Sequence, residues 1–142
     1  MFKEKDLTAL FAKFMRTNPE AEHLKFPFLI EFKLKHGNEA LHLKRDFQAH
    51  QIPTLIKALS GCVYHKISDM SVGLKPCDVF QACFCPAFIG VMWYKPKKHK
   101  ILYLVDPRDV KDLNKLYEDK AAEIAIYTIY LSHDIKPKDR AV

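Results

Sequence analysis

The chain has 142 residues, 49% of them hydrophobic and 28% charged, which is the length and composition of one globular domain and excludes a disordered or fibrous polymer. A domain of this size buries about two-thirds of its unfolded surface, enough for a core that needs neither metal nor disulfide staples. Lysine and arginine number 23 against 17 acids, for a net charge of +6. This favours a polyanionic partner, because neutralising phosphates releases counterions and steers association.

In chain order, EKDLTALFAKFMR (4–16) spaces Leu7, Leu10, Phe11 and Phe14 at three- and four-residue steps, which predicts an amphipathic helix. Thr17-Asn18-Pro19 ends it. Phe26, Phe28, Ile30, Phe32 and Leu34 then occupy every second position, the signature of a strand with one buried face. Its other face carries Leu29, Glu31, Lys33 and Lys35. HGNEALHLKRD reads as a loop and 47–60 as a helix, with Pro53 either in its first turn or kinking it and Gly61 just past its end. CVYHKIS is a short strand and DMSVGLKP a polar loop. The apolar runs DVFQACF, AFIGVMWY and ILYLV are three further strands, and the last two lack alternation, as strands covered on both sides do. Asp106-Pro107 opens another helix, with Asp106 as N-cap, and AAEIAIYTIYL extends that helix or forms a new element. The expected fold is one α/β (α+β) domain over 1–142, a mixed β-sheet flanked by helices.

No apolar run approaches the roughly 20 residues of a membrane helix, and MFKEKDLT lacks the apolar segment of a secretory signal. The expectation is a soluble protein of the cytoplasm, of the host cytoplasm if the chain is viral. In that reducing compartment the cysteines at 62, 77, 83 and 85 are expected as free thiols. Cys83-Phe84-Cys85 suits structural zinc poorly, lacking a second pair at similar spacing.

The chemistry concentrates on Glu31-Phe32-Lys33 and on Lys75-Pro76-Cys77-Asp78. Residues i and i+2 of a strand share a face, so Glu31 and Lys33 converge while Phe32 turns into the core. If the Asp78 strand lies alongside, two carboxylates and a lysine meet at one spot. Two carboxylates, a main-chain carbonyl and waters suit Mg²⁺, which acidifies a bound water and clamps a phosphodiester. Outward-alternating charges on a solvated strand explain Glu31 and Lys33 without chemistry, and an aspartate after proline commonly serves a turn.

With the E-F-K strand, the His50-Gln51 helix after it and KISDMSVGLKPCDVF, residues 26 to 105 resemble the PD-(D/E)xK nuclease superfamily, most closely its phage-type Holliday junction resolvase-like and VRR-NUC-like members. The resemblance implies a restriction-endonuclease-like sheet in which Glu31 and Asp78 ligate Mg²⁺ or Mn²⁺ together with the Phe32 carbonyl. Lys33 would be the catalytic lysine and Gln51 the glutamine bordering the site. Glu4 would be the extra helical carboxylate of some members. In the usual order the aspartate strand precedes E-x-K. Here it follows, so the motif has migrated or the fold is circularly permuted. Lys66, Lys75, His50 and the loop lysines Lys97, Lys98 and Lys100 are expected to contact nucleic acid, although a basic hairpin loop also serves simply to keep a sheet soluble. The expected function is metal-dependent cleavage of branched or structured DNA, with a homodimer where a four-way junction is resolved. The alternatives are a catalytically inactive DNA-binding accessory protein and a protein-protein interaction domain.

Overall fold

A computed structural model describes residues 1–17, 28–67 and 78–131, of which 65–67 and 78–80 by backbone alone. The elements run α1 (Glu4–Thr17), β1 (Leu29–His36), β2 (Leu41–His42), α2 (Gln51–Ser60), β3 (Cys62–Ile67), β4 (Asp78–Cys83), β5 (Ala87–Tyr94), β6 (Ile101–Val105), α3 (Pro107–Val110), β7 (Lys115–Leu116), α4 (Glu118–Ile124) and β8 (Tyr127–Tyr130). The central sheet has the order β1-β5-β6-β8, with β1 parallel to β5 and the other pairs antiparallel. Its flanking helices make this the mixed α/β architecture that the strand and helix patterns imply.

Alternation along β1 divides the core in two. Phe28, Ile30, Phe32 and Leu34 turn to the face covered by Leu7, Phe11 and Phe14 of α1. Leu29 turns to the other face, where Leu55 and Ala58 of α2 pack on Ile89, Val91 and Trp93. Strand β5 therefore supplies both clusters, and all seven of its residues from Ala87 to Trp93 are buried. Its unbroken apolar run reflects cover on both faces.

One position in β5 admits no side chain. Gly90 lies opposite Phe32 in the parallel register, and a Cβ there would meet Ile30 Cγ2 at 2.9 Å and the Phe32 ring at 3.0 Å. Both obstacles are packed core groups, so Gly90→Ala is expected to destabilise by about 1–3 kcal/mol. A denaturant midpoint equal to wild type would show that the two side chains can step aside.

Several elements differ from expectation. The first α2 residue is Gln51, not 47, and Phe47 is buried in the approach to the helix. Gly61 follows α2 as expected, but in extended geometry with φ −161°. Asp106 caps α3, accepting the Arg108 amide at 2.8 Å, yet this helix stops at Val110. AAEIAIYTIYL divides between α4 and the edge strand β8. Residues 26, 27 and DMSVGLKP lie outside the described residues.

Two expectations are overturned. Cys62 and Cys83 are not free thiols but a disulfide. The β3–β4 register places them directly opposite each other, and the Phe84 amide bonds the Gly61 carbonyl at 2.9 Å next door. Cys62–Cys83 is thus the close, non-hydrogen-bonded kind of antiparallel pair, with Cα atoms 4.0 Å apart. Cys85 remains a buried free thiol. Nor does the Asp78 strand pair with the E-x-K strand. Strand β4 ladders with β3 in a separate two-stranded sheet, and the partner of β1 is β5. The apolar, fully covered β5 satisfies the buried edge of β1, whereas β4 finds its partner in the preceding strand.

The connection into α2 is held by Asp46. Its Oδ2 accepts the His42 amide at 2.9 Å and the Lys35 ammonium at 3.0 Å, and its Oδ1 accepts Arg45 Nε at 3.0 Å. Burial works against the Asp46 charge, but the His42 amide and the two cations outweigh it and hold the carboxyl down at about 2, from an ordinary 3.8. A depressed carboxyl pKa contributes stability that is complete above the unfolded-state value and is lost as pH falls through the folded one. Asp46→Asn is therefore expected to cost about 1–2 kcal/mol at neutral pH. Its gap to wild type in urea melts should close between pH 5 and pH 2, and a gap independent of pH would assign the loss to packing. Among the described residues no helix is long and apolar enough to cross a membrane.

Candidate active site

On the α2 face of β1, Glu31 and Lys33 stand two residues apart and form an ion pair, Lys33 Nζ to Glu31 Oε1 at 3.0 Å. The first residue of α2 closes the group. Gln51 Nε2 donates to the same Glu31 oxygen at 2.7 Å, and Gln51 Oε1 accepts from Lys33 Nζ at 3.4 Å. The Gln48 amide also donates to Gln51 Oε1, at 2.8 Å, so the glutamine ties both the loop before its helix and the helix itself to the strand. Beneath the ammonium lies the Phe47 ring, 4.8 Å from Nζ to centroid, a cation–π contact that helps hold Lys33 in place.

The group opens onto a cleft of about 430 Å³. Glu31 forms one wall, His50, Gln51 and Thr54 of the α2 N-terminus a second, and Val63 and Tyr64 of the β3–β4 hairpin the third. The Lys33 side chain is 13% exposed and that of Glu31 28%. The ammonium is thus shielded while the carboxylate reaches solvent, and no donor among the described residues bonds Glu31 Oε2.

Glu4, at the head of α1, lies within the field of this pair. Burial pushes its carboxyl above the ordinary range, Lys33 opposes the rise and Glu31 adds to it. The direction of the Phe32 carbonyl follows from the β1–β5 ladder. The Leu29 amide bonds the Pro86 carbonyl and the Gly37 amide the Tyr94 carbonyl, each at 2.9 Å. Odd-numbered residues of β1 therefore bond toward β5, and Phe32 N–H and C=O turn to the opposite edge.

The site residues expected from sequence divide accordingly. Glu31, Lys33 and Gln51 meet, with His50 exposed on the same cleft. Asp78 is not brought beside Glu31 by strand pairing. It heads β4 opposite Ile67, four residues from the cleft-wall residue Ala82, or about 13 Å along the strand. Lys66 is in β3, opposite Val79, and Lys75 lies outside the described residues. Lys97, Lys98 and Lys100 belong to the β5–β6 turn, where Lys97 takes a left-handed φ of 60°. That turn follows Tyr94, the partner of His36, so it lies past the far end of β1 and the cleft past the other side of Lys33. These lysines do not join the site.

Glu31, the Phe32 carbonyl and Glu4 are hard oxygen donors, and one or two carboxylates with waters and substrate phosphate are what Mg²⁺ takes. A site built wholly from side chains does not fit: among the described residues no group of three or more His, Cys, Asp and Glu gathers. Of these donors, Glu31 lines the cleft, so the residues present would offer an ion one cleft carboxylate and leave the rest of its shell to water and substrate. Thr54 is a cleft residue that sequence reasoning missed, although its helical spacing from His50 and Gln51 signalled a shared face. Nothing local in the sequence marks Phe47 or Tyr64, whose roles depend on how loop and hairpin fold back on β1. Compared with models of protein families, with curated proteins and with solved structures, the chain matches none.

Proposed function

We propose that the chain is a Mg²⁺- or Mn²⁺-dependent endonuclease that hydrolyses phosphodiester bonds in branched or structured DNA. One observation carries this reading: the Glu31–Lys33–Gln51 network sits at the wall of an open cleft, with a second carboxylate, Glu4, in its field. Glu31 and the Phe32 carbonyl would hold the ion, Glu4 would add a carboxylate only if it reaches them, and Asp78 contributes only if the head of β4 does. The bound ion supplies an acidified water and neutralises charge developing at phosphorus. Gln51 fixes the rotamer of Glu31 by donating to Oε1. Lys33 carries a positive charge, kept from bulk water, to the place where the attacked phosphate accumulates negative charge. The net charge of +6 draws DNA to the molecule. Resolution of a four-way junction requires two such sites, hence two copies of the chain.

A second reading is favoured by one feature of the same group. Glu31 Oε1 is already engaged by Lys33 and Gln51, as in a self-satisfied polar network, which suits a DNA-binding module without catalysis. Incubation with four-way junction, duplex and single-stranded DNA, with Mg²⁺ or with a chelator, separates the two. Metal-dependent nicking abolished by Glu31→Gln supports the nuclease. Binding without nicking supports the module, and absence of any binding contradicts both and leaves a surface for an acidic protein partner.

A further inference from the structure

Among the residues that line the cleft is Tyr64, an aromatic residue that is 67% exposed. A tyrosine so exposed forgoes the burial that large aromatics ordinarily find, and this one is held in place. Its hydroxyl accepts Gln81 Nε2 at 3.3 Å from the directly opposite residue of β4. Two residues away the Cys62–Cys83 disulfide joins the strands. Val63 and Ala82, on the other face of the hairpin, pack against the core, and the Cys85 amide bonds the Ala58 carbonyl of α2 at 3.1 Å. The ring is therefore carried on a hairpin anchored to the helix that supplies Gln51.

We propose that Tyr64 is a stacking platform for an unpaired DNA base, and that it makes this cleft select substrates with an unstacked nucleotide beside the phosphate under attack. The inference rests on the nuclease reading and narrows its substrate. An aromatic face takes any base without regard to sequence, because every base has a π-face. Inside a continuous duplex both faces of each base are already covered by neighbours, and exposing one costs the stacking it had. At a branch point, flap or strand end a face is free. A cleft of about 430 Å³ is within the range of pockets that enclose small ligands, and both Glu31 and Tyr64 line it, so a phosphate at one and a base at the other belong to one bound strand. The selectivity arises from what the substrate leaves unstacked.

The test uses the full chain with chelator present, so that binding is measured without cleavage. The probes are a flapped duplex carrying 2-aminopurine at its first unpaired position, and a continuous duplex of equal length. Wild type is expected to quench the 2-aminopurine and to bind the flap more tightly than the duplex. Tyr64→Ala should lose the quench and weaken flap binding by about 5- to 150-fold, leaving duplex binding unchanged. Tyr64→Phe, which keeps the ring, should retain both signals. Unchanged thermal melting of Tyr64→Ala excludes misfolding. Flap affinity unaffected by Tyr64→Ala, equal loss on flap and duplex, or no DNA binding by wild type each overturns the platform. Failure of the nuclease reading registers separately: it is a wild-type protein that binds and quenches but does not cleave when Mg²⁺ replaces the chelator.

Discussion

Lys33→Ala is expected to slow Mg²⁺-dependent cleavage of a four-way junction by about 10²- to 10⁴-fold, the range lost when a positioned charge or proton-transfer group is removed. The ammonium is held from three sides, by Glu31 Oε1 at 3.0 Å, Gln51 Oε1 at 3.4 Å and the Phe47 ring. It is therefore already oriented when substrate arrives, and alanine removes both the charge and its orientation. Affinity for the junction should change far less than the rate, because the remaining basic residues still supply the long-range attraction. Single-turnover rates beside equilibrium binding in the same buffer make the comparison. A rate that survives the substitution would reduce Lys33 to the partner of a structural ion pair.

Reduction of the Cys62–Cys83 bridge has the largest expected effect on stability. The bond closes a loop of sequence separation 21, for which chain-entropy arguments give about 3 kcal/mol. For a domain of this length that corresponds to roughly 10 °C in melting temperature. The paired Cys62→Ser, Cys83→Ser variant should melt where reduced wild type melts, and reductant should leave the variant unmoved. Denatured wild type should present two fewer reactive thiols before reduction than after it. A melting temperature indifferent to reductant would show that hydrogen bonding between β3 and β4 suffices to hold the hairpin.

Most of the fold was legible because its strongest elements are locally consistent. The period-two run through Phe28, Ile30, Phe32 and Leu34 announced β1, the uninterrupted apolar run announced the doubly covered β5, and Asp106-Pro107 announced a helix start. Strand pairing was not legible, because it depends on which edges remain to be satisfied once the core collapses. Nothing in CVYHKI or DVFQAC distinguishes a strand of the central sheet from a separate hairpin, and this is why Asp78 was expected beside Glu31. The cysteines were misread for a related reason. A bridge requires opposition in register, which emerges only after β3 and β4 pair. The Glu31–Lys33–Gln51 triangle was visible in part, since an i, i+2 pair on a strand shares a face whatever the fold. Gln51 joined it through resemblance, and Phe47 and Tyr64 entered only with the tertiary structure.

The most direct measurement is cleavage of a four-way junction by wild type and by Glu31→Gln across a Mg²⁺ titration, with both proteins verified as folded by their melting curves. Glutamine keeps the shape of the side chain and removes its charge, so the expected result is metal-dependent nicking by wild type that the variant does not recover at any Mg²⁺ concentration. Equal cleavage by the two proteins, or cleavage by wild type that persists in chelator, would contradict a metal-dependent site at Glu31.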